Sequence, residues 1–134
     1  MNYWISIGAI ILALGVAAGA IGAHTLENSL NEDQLSLWNK AVFYQIIHGL
    51  GLLLIHNIAQ SNTKINFKWC FLLLLFGVIF FSGSLYLIAL NNGIFGEIEL
   101  LKKIMIPITP IGGMCFITGW TLLAFKHLIF NKKF

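Results

Sequence analysis

The sequence predicts an all-α polytopic membrane protein, a bundle of four transmembrane helices. Three observations carry that prediction. Hydrophobic residues make up 58% of the 134 residues and charged residues only 10%, against about 25% charged in an average soluble domain. So little charge cannot coat a water-soluble globule, and the charges present cluster at a few points. Four stretches, 3–23, 41–59, 69–90 and 104–125, run for 19 to 22 residues without an acid or a lysine, and a spanning helix needs roughly 20. None has the short alternating pattern of a transmembrane barrel strand, so helices are left as the means of satisfying every backbone polar group in lipid. The length predicts a single four-span membrane domain.

The first span, Tyr3 to Ala23, ends on "AAGAIGA", whose small residues resemble a signal-peptide cleavage region. The leading "MNYW" has no basic residue and the apolar run is full length, so a retained span is expected. Gly8, Gly15 and Gly22 recur every seven residues, and Gly15, Gly19 and Ala23 form a small-xxx-small series. Such a series lets a neighbouring helix backbone approach closely, which predicts a packing groove.

Asn31 is expected to cap a second helix beginning "EDQ", with Glu32 and Asp33 in its first turn and Gln34 closing a capping box. Running from about 32 to Ala59, this helix would be roughly 42 Å long, more than the hydrocarbon core. Leu35, Leu37 and Trp38 should therefore lie at the outer interface. The membrane part, "AVFYQIIHGLGLLLIH", keeps an amide and two imidazoles. At about 100° per residue, Tyr44, Gln45, His48, Leu52, Ile55 and His56 fall on one side. Polar groups inside a membrane face the bundle interior, so this side is expected to face the other helices. His56, nearer the inner interface, is expected within reach of water.

The third span carries Ser82, Ser84 and Tyr86 in "FFSGSLYLIAL". In the fourth, "PITPIGG" puts Pro107, Pro110, Gly112 and Gly113 into one helical stretch. Proline removes a backbone donor, so a kink or a helix start just before Pro110 is expected, with a break lining a binding site as the alternative. In the preceding link, "NNGIFGEIELLKKI", Glu99 and Lys103 have the i,i+4 spacing of an interfacial helical turn.

The polar residues converge in depth. From the outer end of each span, Gln45 and His48 lie four and seven residues in. Tyr86, Ser84 and Ser82 lie four, six and eight in, and Thr109 and Gly112 five and eight. That is one layer roughly 6–12 Å below the outer surface. The candidate ligand-binding residues are accordingly Tyr44, Gln45, His48, Ser82, Ser84, Tyr86, Thr109 and Gly112. Gln45 and His48 are expected to meet Tyr86, Ser84 and Thr109 there.

Lys64, Lys68, Lys126, Lys132 and Lys133 fall on one side of the four-span topology; Lys102 and Lys103 fall on the other, with Lys40 at the membrane edge. Lysine excess marks the cytoplasm, which predicts both termini cytoplasmic. Cys70 and Cys115 sit at different depths, so no disulfide between them is expected, and no zinc-ligand spacing occurs.

No span offers a carboxylate to orient His48, which argues against hydrolytic chemistry. His24 and Glu27 are too few for a metal site, and no two histidines share the mid-membrane depth that a haem would need. No catalytic residue, metal, cofactor or nucleic-acid partner is expected. The leading expectation is a non-enzymatic module with a polar pocket in the outer half of the bundle. It would bind a membrane lipid or small polar ligand, or support a partner, either a second copy or another membrane protein. The alternatives are a small oligomeric transporter or proton-linked carrier using His48, and a purely structural polar network.

The segments "GAIGAHTL", "WNKAVFYQIIHGLGLL", "FFSGSLYLIAL" and "ITPIGGMCFITGW" resemble, in that order, the signature segments of the YgdD/YwdK family of small bacterial membrane proteins, domain of unknown function 423. The resemblance extends over all four spans and implies a four-span inner-membrane protein without an assigned activity. Thr25 stands where that family often has Gly, and the link before "ITPIGG" is longer than usual.

Overall fold

The computed structural model describes residues 3–131. The helices in chain order are α1 (Tyr3–Ile21), α2 (Glu32–Ser61), α3 (Lys68–Gly77), α4 (Gly83–Gly93) and α5 (Glu99–Asn131). A π-helical turn, Gly22–Leu26, continues α1, and another, Val78–Ser82, joins α3 to α4 without a break in direction of the chain. Among the described residues there is no strand. Four continuous stretches, Tyr3–Leu26, Glu32–Ser61, Lys68–Asn91 and Glu99–Ile129, are long and apolar enough to cross a membrane. On α1, Ile10, Leu14 and Val16 stand 57–64% exposed. Such surface is untenable in water and natural against lipid. The chain is an all-α membrane protein.

Local chemistry sets the start of α2. The Asn31 side chain accepts from the Gln34 N–H, and the Gln34 side chain accepts from the Asn31 N–H, each at 2.9 Å. Two orphan donors of the first turn are thus satisfied, and Glu32 and Asp33 complement the helix dipole.

Glycines set the seams. Along α1 and the π turn that continues it, Gly8, Gly15 and Gly22 are buried against α2: a methyl group there would approach Leu53, Ile46 and Trp38 to 2.7–2.9 Å. Gly49 answers from α2, close to Leu12. Between the third span and α5, Gly77 lies under the Phe116 ring and Gly112 lies on the backbone of Phe81. One core fills the part of the bundle towards the loop between α2 and α3, around Trp4, Leu52, Ile55, Phe71, Leu74 and Phe116. A second, smaller cluster of Leu26, Leu30, Trp38 and Ala89 closes the opposite end.

Helix α1 lies along α2 and stands off from α3, α4 and α5. Side chains bridge that gap at its two ends. At one end the Trp4 ring stacks on Phe71, centroids 4.4 Å apart. At the other, Leu26 joins Leu30, Trp38 and Ala89 in one buried cluster.

Two features differ from the sequence expectation. Helix α5 begins at Glu99, not near Pro110, and runs through both Pro107 and Pro110. A membrane helix loses little by continuing past proline, because stopping would expose many more backbone groups to lipid. Within this stretch Thr109 Oγ1 reaches the Met105 carbonyl at 3.2 Å. The link before α5 is also more ordered than a simple interfacial turn. Asn91, fully buried, accepts from the Ile98 N–H at 3.0 Å and donates to the Ile98 carbonyl at 3.4 Å. Gly96 and Glu97 take φ of 77° and 57° to turn the chain. Lys132 and Lys133, two of the lysines behind the topology expectation, lie outside the described residues.

Candidate functional site

Gln45 sits midway along α2 and is buried. Its Nε2 donates to the Ile11 carbonyl of α1 at 2.9 Å, and its Oε1 accepts from the Tyr86 hydroxyl of α4 at 2.8 Å. A carbonyl already bonded within its helix has a second lone pair to offer, so Ile11 accepts without unwinding α1. Tyr86 in turn meets the Trp38 ring edge-on at 4.6 Å, and Trp38 Nε1 donates to the Ala18 carbonyl at 2.9 Å. One polar chain thus ties the first, second and third spans.

A second chain ties the third span to the fourth. Ser84 Oγ lies 3.0 Å from the Phe81 carbonyl and 2.7 Å from Thr109 Oγ1, which lies 3.2 Å from the Met105 carbonyl. Two hydroxyl protons serve three contacts, so the chain runs either Thr109 to Ser84 to Phe81 or Ser84 to Thr109 to Met105.

His48 belongs to neither chain. Its Nδ1 lies 2.8 Å from the Tyr44 carbonyl of its own helix. A carbonyl only accepts, so this bond puts the proton on Nδ1. The imidazole lies flat on Phe116, with centroids 3.4 Å apart and planes at 17°. Tyr44 lies beside this pair, nearly parallel to both, 5.8 Å from His48 and 6.0 Å from Phe116, and packs on Phe81 at 4.6 Å. The inward side of α2 is therefore as the helical period predicts, but the expected meeting is divided. Gln45 meets Tyr86 and Ser84 meets Thr109, whereas His48 joins an aromatic stack.

The remaining candidates play other parts. Gly112 is the point where α5 touches the π turn: a methyl group there would lie 2.8 Å from the Phe81 Cα. Ser82, within that turn, is 1% exposed and its Oγ has no partner. His56 departs from expectation, being 6% exposed with an unpartnered Nδ1. Leu52, Ile55 and Ala59 on the same turns of α2 belong to the buried core, so His56 is enclosed rather than open to the surface.

Sequence reasoning overlooked Phe81, Phe116 and Trp120, the rings that frame His48 and Tyr44. A signal was present: Gly112, Phe116 and Trp120 recur at i, i+4 and i+8 on the face that carries Thr109.

Between α1 and the third span lies a cleft of about 460 Å³. Ile7, Ile10, Ile11 and Leu14 form one wall and Leu75, Val78, Ile79 and Gly83 the other, with Gln45 and Tyr86 at the floor. A smaller hollow of about 330 Å³ lies by Ile58, Phe67, Trp120 and His127. Among the described residues, no group of three or more His, Cys, Asp or Glu could hold a metal ion.

A family model described as a protein of unknown function (DUF423) matches residues 18–113. The chain belongs to the DUF423 family. The expected resemblance is thus shown, and the matched residues include every candidate from Tyr44 to Gly112. A UPF0382 membrane protein of Staphylococcus saprophyticus is 47% identical over 124 residues, 92% of this chain and 95% of the relative. One of Staphylococcus epidermidis is 44% identical over 130 residues, 97% of this chain and 98% of the relative. One of Staphylococcus haemolyticus is 45% identical with the same coverage. No solved structure matches. For this DUF423 member, membership brings a bacterial membrane setting and no assigned activity.

Proposed function

We propose that this DUF423 chain is a non-enzymatic membrane module that binds a membrane lipid within its four-span bundle. The observation that carries the reading is the stand-off of α1. It leaves an apolar cleft of about 460 Å³ at membrane depth, within the roughly 300–1,000 Å³ of small-molecule sites. The polar cluster then has a structural part in this reading. Gln45, Tyr86, Ser84 and Thr109 spend their hydrogen bonds on one another and on backbone carbonyls. A small polar ligand would have to break those bonds, whereas a lipid need not. The outer cluster of Leu26, Leu30, Trp38 and Ala89 covers the outward end, which favours sideways entry from the bilayer over passage from the aqueous side.

The membrane is proposed to be the bacterial plasma membrane, with the Lys64 loop cytoplasmic. The test of the binding reading is lipid retention. The protein, extracted in a mild detergent and released in a native mass spectrometer, should carry about one lipid per chain through repeated detergent exchange. Release of the bare chain under the same conditions overturns the reading.

A further inference from the structure

We infer that the cleft between α1 and the third span is the lipid site, and that its occupant is a hydrocarbon chain of a membrane lipid that enters sideways between the two helices. This rests on the lipid-binding reading above and adds where the lipid sits and which part of it is held.

The cleft has closed ends and an open middle. Trp4 stacked on Phe71 bars one end, and the buried cluster of Leu26, Leu30, Trp38 and Ala89 closes the other. Between them α1 approaches neither α3 nor α4. Water is not the neighbour at this depth; lipid chains are. The walls are isoleucine, leucine and valine side chains. At the floor, the Gln45 oxygen and the Tyr86 proton are turned onto each other and the Gln45 amide onto Ile11, so they present little to a headgroup. Phosphate and ester groups also belong to the interface rather than to mid-membrane depth.

Size separates a chain from a helix. A helix about 10–12 Å across occupies roughly 400–600 Å³ per turn. The cleft, at about 460 Å³, holds one such turn, where a spanning helix would present about five. A thin, flexible chain fits; a helix of a neighbouring protein does not.

Gly83 is the most telling residue of the wall. A methyl group added there would meet nothing within 4 Å. At Gly77, Gly112 and Gly119, on the same span pair, a methyl group would strike the facing helix. Gly83 therefore serves no helix seam, and its missing side chain widens the cleft beside Tyr86 and Ile79. Filling it should block the cleft without disturbing the bundle.

The experiment uses the full chain in vesicles of phosphatidylethanolamine and phosphatidylglycerol, doped with a phosphatidylglycerol carrying a diazirine midway along one acyl chain. Photolysis should give saturable crosslinks to peptides containing Ile10, Leu14 and Ile79. Gly83→Leu should melt within a few degrees of the parent and lose at least tenfold in crosslinking and in retained lipid. Gly113→Ala, away from the cleft, should lose neither. Should Gly83→Leu fail to fold, Ile79→Phe fills the same space from an exposed position and is read in the same way. Crosslinks spread without saturation over the outward residues Met114 and Ile117 overturn the assignment. So does a folded Gly83→Leu that binds as before. Lipid retained but mapped elsewhere sinks the cleft and leaves the lipid-binding reading standing; a chain that retains no lipid sinks both.

Discussion

The Tyr86 hydroxyl donates to Gln45 Oε1 at 2.8 Å, across 41 residues of sequence, and the same amide reaches the Ile11 carbonyl at 2.9 Å. A single side chain in the middle of α2 thereby fastens the first and third spans, the two that bound the cleft. Gln45→Leu should cost about 1–2 kcal/mol, because two interhelical bonds go and the Tyr86 hydroxyl is left unpaired. Tyr86→Phe should cost about 0.6 kcal/mol, the average for such a bond in a membrane. Reversible unfolding in micelles should give less than the sum for the double variant. Strict additivity would show that the two side chains do not share a bond.

His48 answers to packing more than to hydrogen bonding. Its ring bond stays within α2, and its face lies on Phe116 at 3.4 Å. His48→Leu should shift stability by no more than about 1 kcal/mol, in either direction. Phe116→Ala should cost about 3 kcal/mol, since that ring fills the space between Gly77 and the imidazole. Equal losses in the two variants would contradict the stacked arrangement.

The glycines divide into pairs with opposite outcomes. Gly112→Ala should cost about 2–3 kcal/mol, because the added methyl meets the backbone of Phe81, which cannot turn aside. At its neighbour Gly113 the nearest atom would be an ordinary 3.7 Å away. Gly113→Ala should therefore be neutral or gain up to about 1 kcal/mol of helix propensity. On α1, Gly15→Ala should destabilise and Gly19→Ala should not, with Ile46 at 2.9 Å from the first and Val42 at 3.5 Å from the second. Thermal melting of the four variants checks both pairs, and a costly Gly113→Ala or Gly19→Ala would refute them.

Topology gives the fourth prediction. In a background with Cys70 and Cys115 replaced by alanine, a cysteine at position 31 should react with a membrane-impermeant maleimide in intact cells. A cysteine at position 64 should react only after permeabilisation. The reverse pattern would place the Lys64 loop outside and overturn the lysine argument.

The sequence by itself determined the number of spans, the capped start of α2 and the inward side of that helix. Each is a local or single-helix property: apolar length against bilayer thickness, Asn31 three residues before Gln34, and a repeat of 3.6. It also marked Gly8, Gly15 and Gly22 as a packing face, because small residues at helical spacing have one main use in a membrane. Tertiary structure alone decided how the polar residues pair. The π turn Val78–Ser82 inserts an extra residue into the third span, which rotates everything beyond it by about 100° relative to an unbroken α-helix. That rotation helps decide that Tyr86 points to Gln45 and Ser84 to Thr109, and counting depth along a straight helix cannot supply it. The partner of His48 was likewise set by α5, whose passage through Pro107 and Pro110 brings Phe116 onto the imidazole. The cleft is a property of helices that do not touch, and it follows from α1 being held by α2 along its length and by the third span only at its ends.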